Sequence, residues 1–282
     1  MRQSRLFRMN SVLLLHPEHT VMVDPGVLPS ELDDLARVLE AVPALALTLV
    51  LTHADWDHVL GRSWWPEAMT IAHDHFAAEL KRKAPSILEE ARRAAQDAGE
   101  RWEKGFEPFR PREALSGLRF SRLGPWRLVF RDAYGHSDSM LSIHLPEERL
   151  LIAADMLSDI EIPTLHRSCE DYRRTLTELI PLAEHGAIQT LIPGHGSIAR
   201  DAGSALERLH RDLGYLDQLE RGVEAARVSG LTLEQTQTRL SAMEFTGKMA
   251  EYSMLDHHRE NVRIAYSGLP AAERPGSRPR VG

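Results

Sequence analysis

The chain has 282 residues, 43% hydrophobic and 27% charged, which suits one large or two small globular domains with a sizeable core. Its formal net charge of −7 argues against a nucleic-acid partner, because phosphate binding wants a basic surface. A single cysteine, Cys169, excludes an internal disulfide and a thiolate zinc cluster, and reads as a small buried residue.

Near the N-terminus the apolar run Val12 to Leu15 is too short for a signal peptide or a membrane span, so a cytoplasmic location is expected. "SVLLL" and "TVMVD" read as paired strands turning at "HPEH". "PSELDDLARVLEAV" reads as an amphipathic helix capped by Ser30, with Leu32, Leu35 and Leu39 on one face. "LALTLVL" is the next strand and "MTIA" another. "SILEEARRAAQDAGERWEKG" is charged and helical; opened by Pro85, it reads as an insertion spanning about residues 77–110. Strands resume with "LRFS", "WRLVF", "LSIHL" and "LLIAA". "EDYRRTLTELIPLAEHG" is helical and "IQTLI" is a strand. From Ser204 the pattern is helical, with a capping box at Thr232 to Gln235. The expected organisation is an α/β/β/α domain over 1–203, a helical extension over 204–268 and a disordered Pro/Gly/Arg tail over 269–282.

Chemistry concentrates at the strand ends. "THADWDH" (52–58) follows a core strand with two histidines and two aspartates, the usual nitrogen and oxygen donors of a metal site. Asp24 in "MVDPG", His136 in "YGHSDS", Asp155 in "IAADML" and His195 in "IPGHGS" also end predicted strands. "DPG", "THADWDH", "GHS", "AAD" and "PGHG", in this order, resemble the metallo-β-lactamase superfamily over roughly residues 10–200. The resemblance implies an αβ/βα sandwich with a two-metal site at one sheet edge. It implies a first metal on His53, Asp55 and His136, a second on Asp57, His58 and His195, Asp155 bridging, and Asp24 supporting the ligands by hydrogen bonds.

The superfamily's usual first motif is His-x-His-x-Asp-His; here Asp55 stands in place of the second histidine. A carboxylate is harder than imidazole, so zinc remains the leading expectation while iron or manganese is favoured more than usual. The flavodiiron branch carries a glutamate there. Two divalent ions against three carboxylates leave a net charge of about +1. The resemblance implies hydrolysis of a small ester, thioester, lactone or amide by metal-activated water, with Asp57 also orienting the nucleophile and shuttling its proton. Dinuclear iron redox chemistry and phosphodiester cleavage are the alternatives. The expected partner is a small-molecule substrate, with homodimerisation left open and no nucleic-acid or membrane partner. Trp56 is expected at the mouth of the site, and Trp102, Phe106 and Phe109 of the insertion to face the pocket as a lid. His73 and His75 read as surface or supporting residues, His144 as packed, and His257 and His258 as structural.

Overall fold

Strands buried on both faces account for the unbroken apolar runs of the first half of the chain. In this computed structural model, residues 1–243 and 254–268 are described; the tail expected over 269–282 lies outside them. The first sheet has the order β1 (Arg2–Gln3), β2 (Asn10–Leu14), β3 (Thr20–Val23), β4 (Leu47–Val50), β5 (Met69–His73), β6 (Glu113–Leu115). From β3 onward the pairing is parallel, so each step needs a crossover. These are α1 (Pro29–Ala41), the one-turn α2 (Trp56–Val59) with the 3-10 turn that follows, and α3 (Phe76–Asp97). The second sheet has the order β11 (Thr190–Ile192), β10 (Leu150–Ile152), β9 (Leu141–Leu145), β8 (Trp126–Asp132), β7 (Arg119–Leu123). It is antiparallel except between β10 and β11, which α4 (Cys169–Glu184) connects.

Alternation along the strands sorts side chains into layers. Val21, Val23, Val50 and Ile71 meet Phe130, Ile143, Leu145 and Ile152 between the sheets. Leu28, Leu32, Leu35, Phe76 and Leu80 pack outside the first sheet. Leu151, Leu176, Leu179, Leu209, Leu216 and Val262 pack outside the second. The result is the expected four-layer α/β/β/α sandwich. The last of these clusters also holds α5 (Ala202–Val228) and α7 (Met254–Gly268), beside the short α6 (Leu233–Leu240). Asn261, fully buried on α7, accepts from Leu165 N at 2.8 Å and donates to Pro163 O at 2.6 Å. That stitches α7 to the loop after β10. No helix among the described residues is long and apolar enough to cross a membrane.

Three expectations need correction. Ser30 does not cap α1: the helix starts at Pro29, whose ring presets its φ, and Glu31 accepts from the Leu28 N–H at 3.3 Å. Pro85 does not open a helix but lies inside α3, which begins at Phe76; the ring is exposed and the turns around it are held by Phe76, Leu80 and Ile87 in the core. This helix forms the crossover that β5 and β6 require. The residues after it are not helical, and they turn Trp102 inward, 5% exposed and 5.2 Å from the Trp64 ring. Trp102 therefore pins this segment to the sandwich. Trp102→Ala should cost about 3–5 kcal/mol in a denaturant melt and leave KM unchanged in the folded fraction. A shifted KM at unchanged stability would contradict the packing role.

Candidate metal centre

Four strand ends deliver seven donors to one edge of the sandwich. His53 follows β4; Asp55 stands at the N-cap of α2, extended at φ −77° and ψ 151°; Asp57 and His58 lie in its single turn. His136 follows β8, Asp155 follows β10 and His195 follows β11. The backbone is specialised where they enter. Ala154 lies in the left-handed region at φ 49°, an uncommon state for a residue with a Cβ, and so sets the exit angle of Asp155. A Cβ on Gly194 would overlap Asp155 Oδ1, so "PGHG" is glycine where the loop presses on that carboxylate.

His53, Asp55, His136 and Asp155 bring one donor atom each within 4.8 Å of one another, and so do Asp57, His58 and His195. Asp155 lies between the groups, with Oδ2 3.4 Å from His53 Nε2, 3.4 Å from His136 Nε2 and 3.5 Å from His195 Nε2. Its Oδ1 is 3.1 Å from His58 Nε2. Asp55 Oδ2 is 3.3 Å from His136 Nε2, and Asp57 Oδ2 is 3.3 Å from His195 Nε2.

Asp24 explains which nitrogens face inward. Its Oδ2 accepts from His58 Nδ1 at 2.9 Å and from the Thr52 hydroxyl at 2.6 Å, while Oδ1 accepts from Thr52 N at 2.8 Å. With its proton committed to Asp24, Thr52 Oγ1 accepts from His53 Nδ1 at 3.0 Å. His195 Nδ1 donates to Phe7 O at 2.9 Å. Three imidazoles thus spend Nδ1 on support and present Nε2 to the centre, the usual orientation of ligating histidines.

The electrostatics fit a cationic occupant. Burial would discharge Asp55, Asp57 and Asp155, yet the imidazoles around them hold all three carboxyls below their ordinary range, Asp55 and Asp155 far below. Burial and His58 oppose a charged His53, but Asp155 and Asp55 push it up to about 9. His58 and His195 are raised well above their usual value against burial, chiefly by Asp155. His53 Nε2 and Asp155 Oδ1 are buried without a hydrogen-bond partner among the described residues. His53 against Asp55 and Asp155, and His58 against Asp155, crowd at 3.1–3.5 Å without hydrogen-bond alignment, which suits donors arranged around cations rather than around each other. The seven residues fit two divalent ions by donor type, charge and grouping.

Residues 5–212 match the profile of the metallo-beta-lactamase superfamily. The chain belongs to that superfamily. Solved structures share its fold at low identity. The stereoselective inverting sec-alkylsulfatase Pisa1 from Pseudomonas sp. aligns with a TM-score of 0.72 at 14% identity, over 94% of this chain and 48% of that one. This chain thus spans about half the length of the sulfatase. A metallo-beta-lactamase family protein from Thermus thermophilus gives 0.63 at 20% identity, over 93% of this chain and 88% of that one. No curated protein matches the chain.

In this metallo-beta-lactamase-fold chain, five of the seven donors line a cavity. It measures about 240 Å³, and Asp55, Asp57, His136, Asp155 and His195 line it with Trp56. Trp56 packs edge-on against Phe7, ring centroids 5.9 Å apart. Trp102, Phe106 and Phe109, expected to face this pocket, do not line it. Phe106 and Phe109 border a separate cleft with Arg62 and Lys104, because the chain after α3 returns along the outside of the first sheet. Sequence reasoning missed Phe7, Glu161, Thr164, Met254 and His257, which, among the described residues, also line the cavity beside the donors. Burial raises the Glu161 carboxyl, with His195 opposing and Asp155 adding. For His257 a signal existed: neighbouring helix residues diverge, so as His258 turns to Tyr215 Oη at 2.8 Å, its neighbour is free for the site. His73 is buried against Tyr134 and Asp132, and His144 donates to Ala187 O at 2.9 Å.

A pH signature follows for the metal-free chain. Folded-state pKa values of His53, His58 and His195 lie above 6.5, so their stabilising charge is complete below pH 6.5 and is lost as pH climbs through the raised values, about 9 for His53. With chelator present, Tm should fall between pH 6.5 and 9. A flat or rising Tm over that window would contradict this charge arrangement.

Proposed function

We propose that the protein is a metal-dependent hydrolase of a small ester, thioester, lactone or amide. One observation carries the reading: seven carboxylate and imidazole donors from four strand ends converge at one edge of the sandwich, five of them lining a cavity, with supporting hydrogen bonds already made. Two divalent ions held there would acidify water and draw charge from the scissile group. Zinc is the leading candidate for both.

The chain's own groups then have separable tasks. Asp57, beside His195 and lining the cavity, orients the attacking water and accepts its proton. Glu161 faces the same space, where a carboxyl can pass a proton to the leaving group. Phe7, Trp56 and Met254 give apolar walls and Thr164 and His257 polar points, the mixture a small organic substrate needs. The cavity is smaller than the usual ligand-pocket range of roughly 300–1,000 Å³, which favours a compact substrate.

The test is a panel of p-nitrophenyl ester, thioester, lactone, anilide, alkyl sulfate and phosphodiester substrates on protein repleted with zinc. Hydrolysis of a carboxylic acid derivative is expected, abolished by chelator and restored by metal. Asp57→Asn should lower kcat about 100-fold or more at near-normal Tm. A fully metallated protein that turns over only the phosphodiester, or nothing, would overturn the proposal.

A further inference from the structure

Asp55 is where this chain departs from the superfamily's usual motif, and the structure answers the departure from a distant part of the sequence. The ammonium of Lys83, on α3, forms a direct ion pair with Asp55 Oδ1. The other oxygen, Oδ2, turns to His136 Nε2 at 3.3 Å and His53 Nε2 at 3.5 Å. The carboxylate is therefore divided, one oxygen for the lysine and one for the centre. Glu79, one helical turn earlier, holds Lys83 through Oε1 at 2.8 Å. Glu79 is itself buried, and its Oε2 accepts from the hydroxyl of Ser137, the neighbour of His136, at 2.9 Å. Ser137, Glu79, Lys83, Asp55 and His136 thus close a ring around one half of the cluster.

We propose that Lys83 is a positioning residue that makes Asp55 a one-oxygen donor whose charge is offset locally. By occupying Oδ1 it leaves one donor oxygen for the first metal, and its positive charge, shared with Glu79, offsets part of the one that Asp55 adds. Three carboxylates against two divalent ions leave about +1; Lys83 sets one positive charge directly on Asp55, and Glu79, on the far side of the ammonium, keeps the wider balance near that value. The harder-metal preference that a free aspartate would impose is thereby offset, and the site keeps zinc over manganese and iron. This inference rests on the reading of the seven donors as a metal centre.

The experiment is metal selectivity, read without any substrate. Wild type, Lys83→Arg, Glu79→Gln, Glu79→Gln/Lys83→Met and Glu79→Gln/Lys83→Met/Asp55→His are stripped and equilibrated anaerobically with equal zinc, manganese and ferrous iron. After desalting, bound metal is measured by mass spectrometry. The Glu79→Gln background avoids leaving a buried carboxylate unpaired. Lys83→Met should raise the ratio of manganese plus iron to zinc about tenfold over Glu79→Gln, the scale of effects from residues that support ligands. Lys83→Arg should stay near wild type, and Asp55→His should erase the effect of Lys83→Met. A ratio that ignores Lys83→Met, or a shift that persists with Asp55→His, would overturn the lysine's role. If Lys83→Met fails to fold by circular dichroism, refolding on addition of Asp55→His supports the role and continued unfolding rejects it. A wild type that binds no metal would sink the metal centre itself, whereas one that binds two ions with Lys83-independent selectivity sinks only this inference.

Discussion

Three carboxylates, Asp55, Asp57 and Asp155, share one buried edge of the sandwich within reach of the same imidazoles. Buried charge of one sign is costly unless opposite charge or hydrogen bonds meet it. In the protein alone, the imidazoles of His53, His58 and His195 meet it, each with its pKa raised by the carboxylates around it. Divalent cations would meet it better, because they bring more charge into less space. Much of the local architecture is intelligible as preparation for that exchange. Asp24 and Phe7 O hold the outer nitrogens, and Gly194 lets its loop close on Asp155.

Elements far apart in the chain converge on the two sides of this cluster. From the first sheet's flank, α3 contributes Glu79 and Lys83, tying the β4 loop to the β8 loop. From the second sheet's flank, α7 contributes Met254 and His257 to the cavity wall, anchored through Asn261 to the loop that carries Glu161. The crossover helix thus borders the ligands, and the C-terminal helix borders the space a substrate would use.

The sandwich was legible because its strands are apolar runs of the right length, and the seven donors because each ends such a run. Their grouping in space came from the resemblance, since spacing along the chain says nothing of which loops meet. Other features were hidden for identifiable reasons. Pro85 is a start signal in sequence, yet packing of Phe76, Leu80 and Ile87 carries α3 straight across it. Lys83 sits in a run of charged residues and looks like any solvated position until Asp55 is brought beside it. Glu161 lies in an irregular loop with no periodicity to mark it. Trp102, Phe106 and Phe109 offered apolar surface without direction, and the outer face of the first sheet claimed it.

The most direct test of this account is the metal content of the chain. Protein stripped by chelator, repleted with zinc and desalted should carry two ions per chain by mass spectrometry, the complement of a two-metal hydrolytic site. His58→Ala and His136→Ala, taken from opposite groups, should each lower that ratio towards one. A wild-type ratio near zero, or a ratio of two that neither substitution changes, would contradict the assignment of these donors to a dinuclear centre.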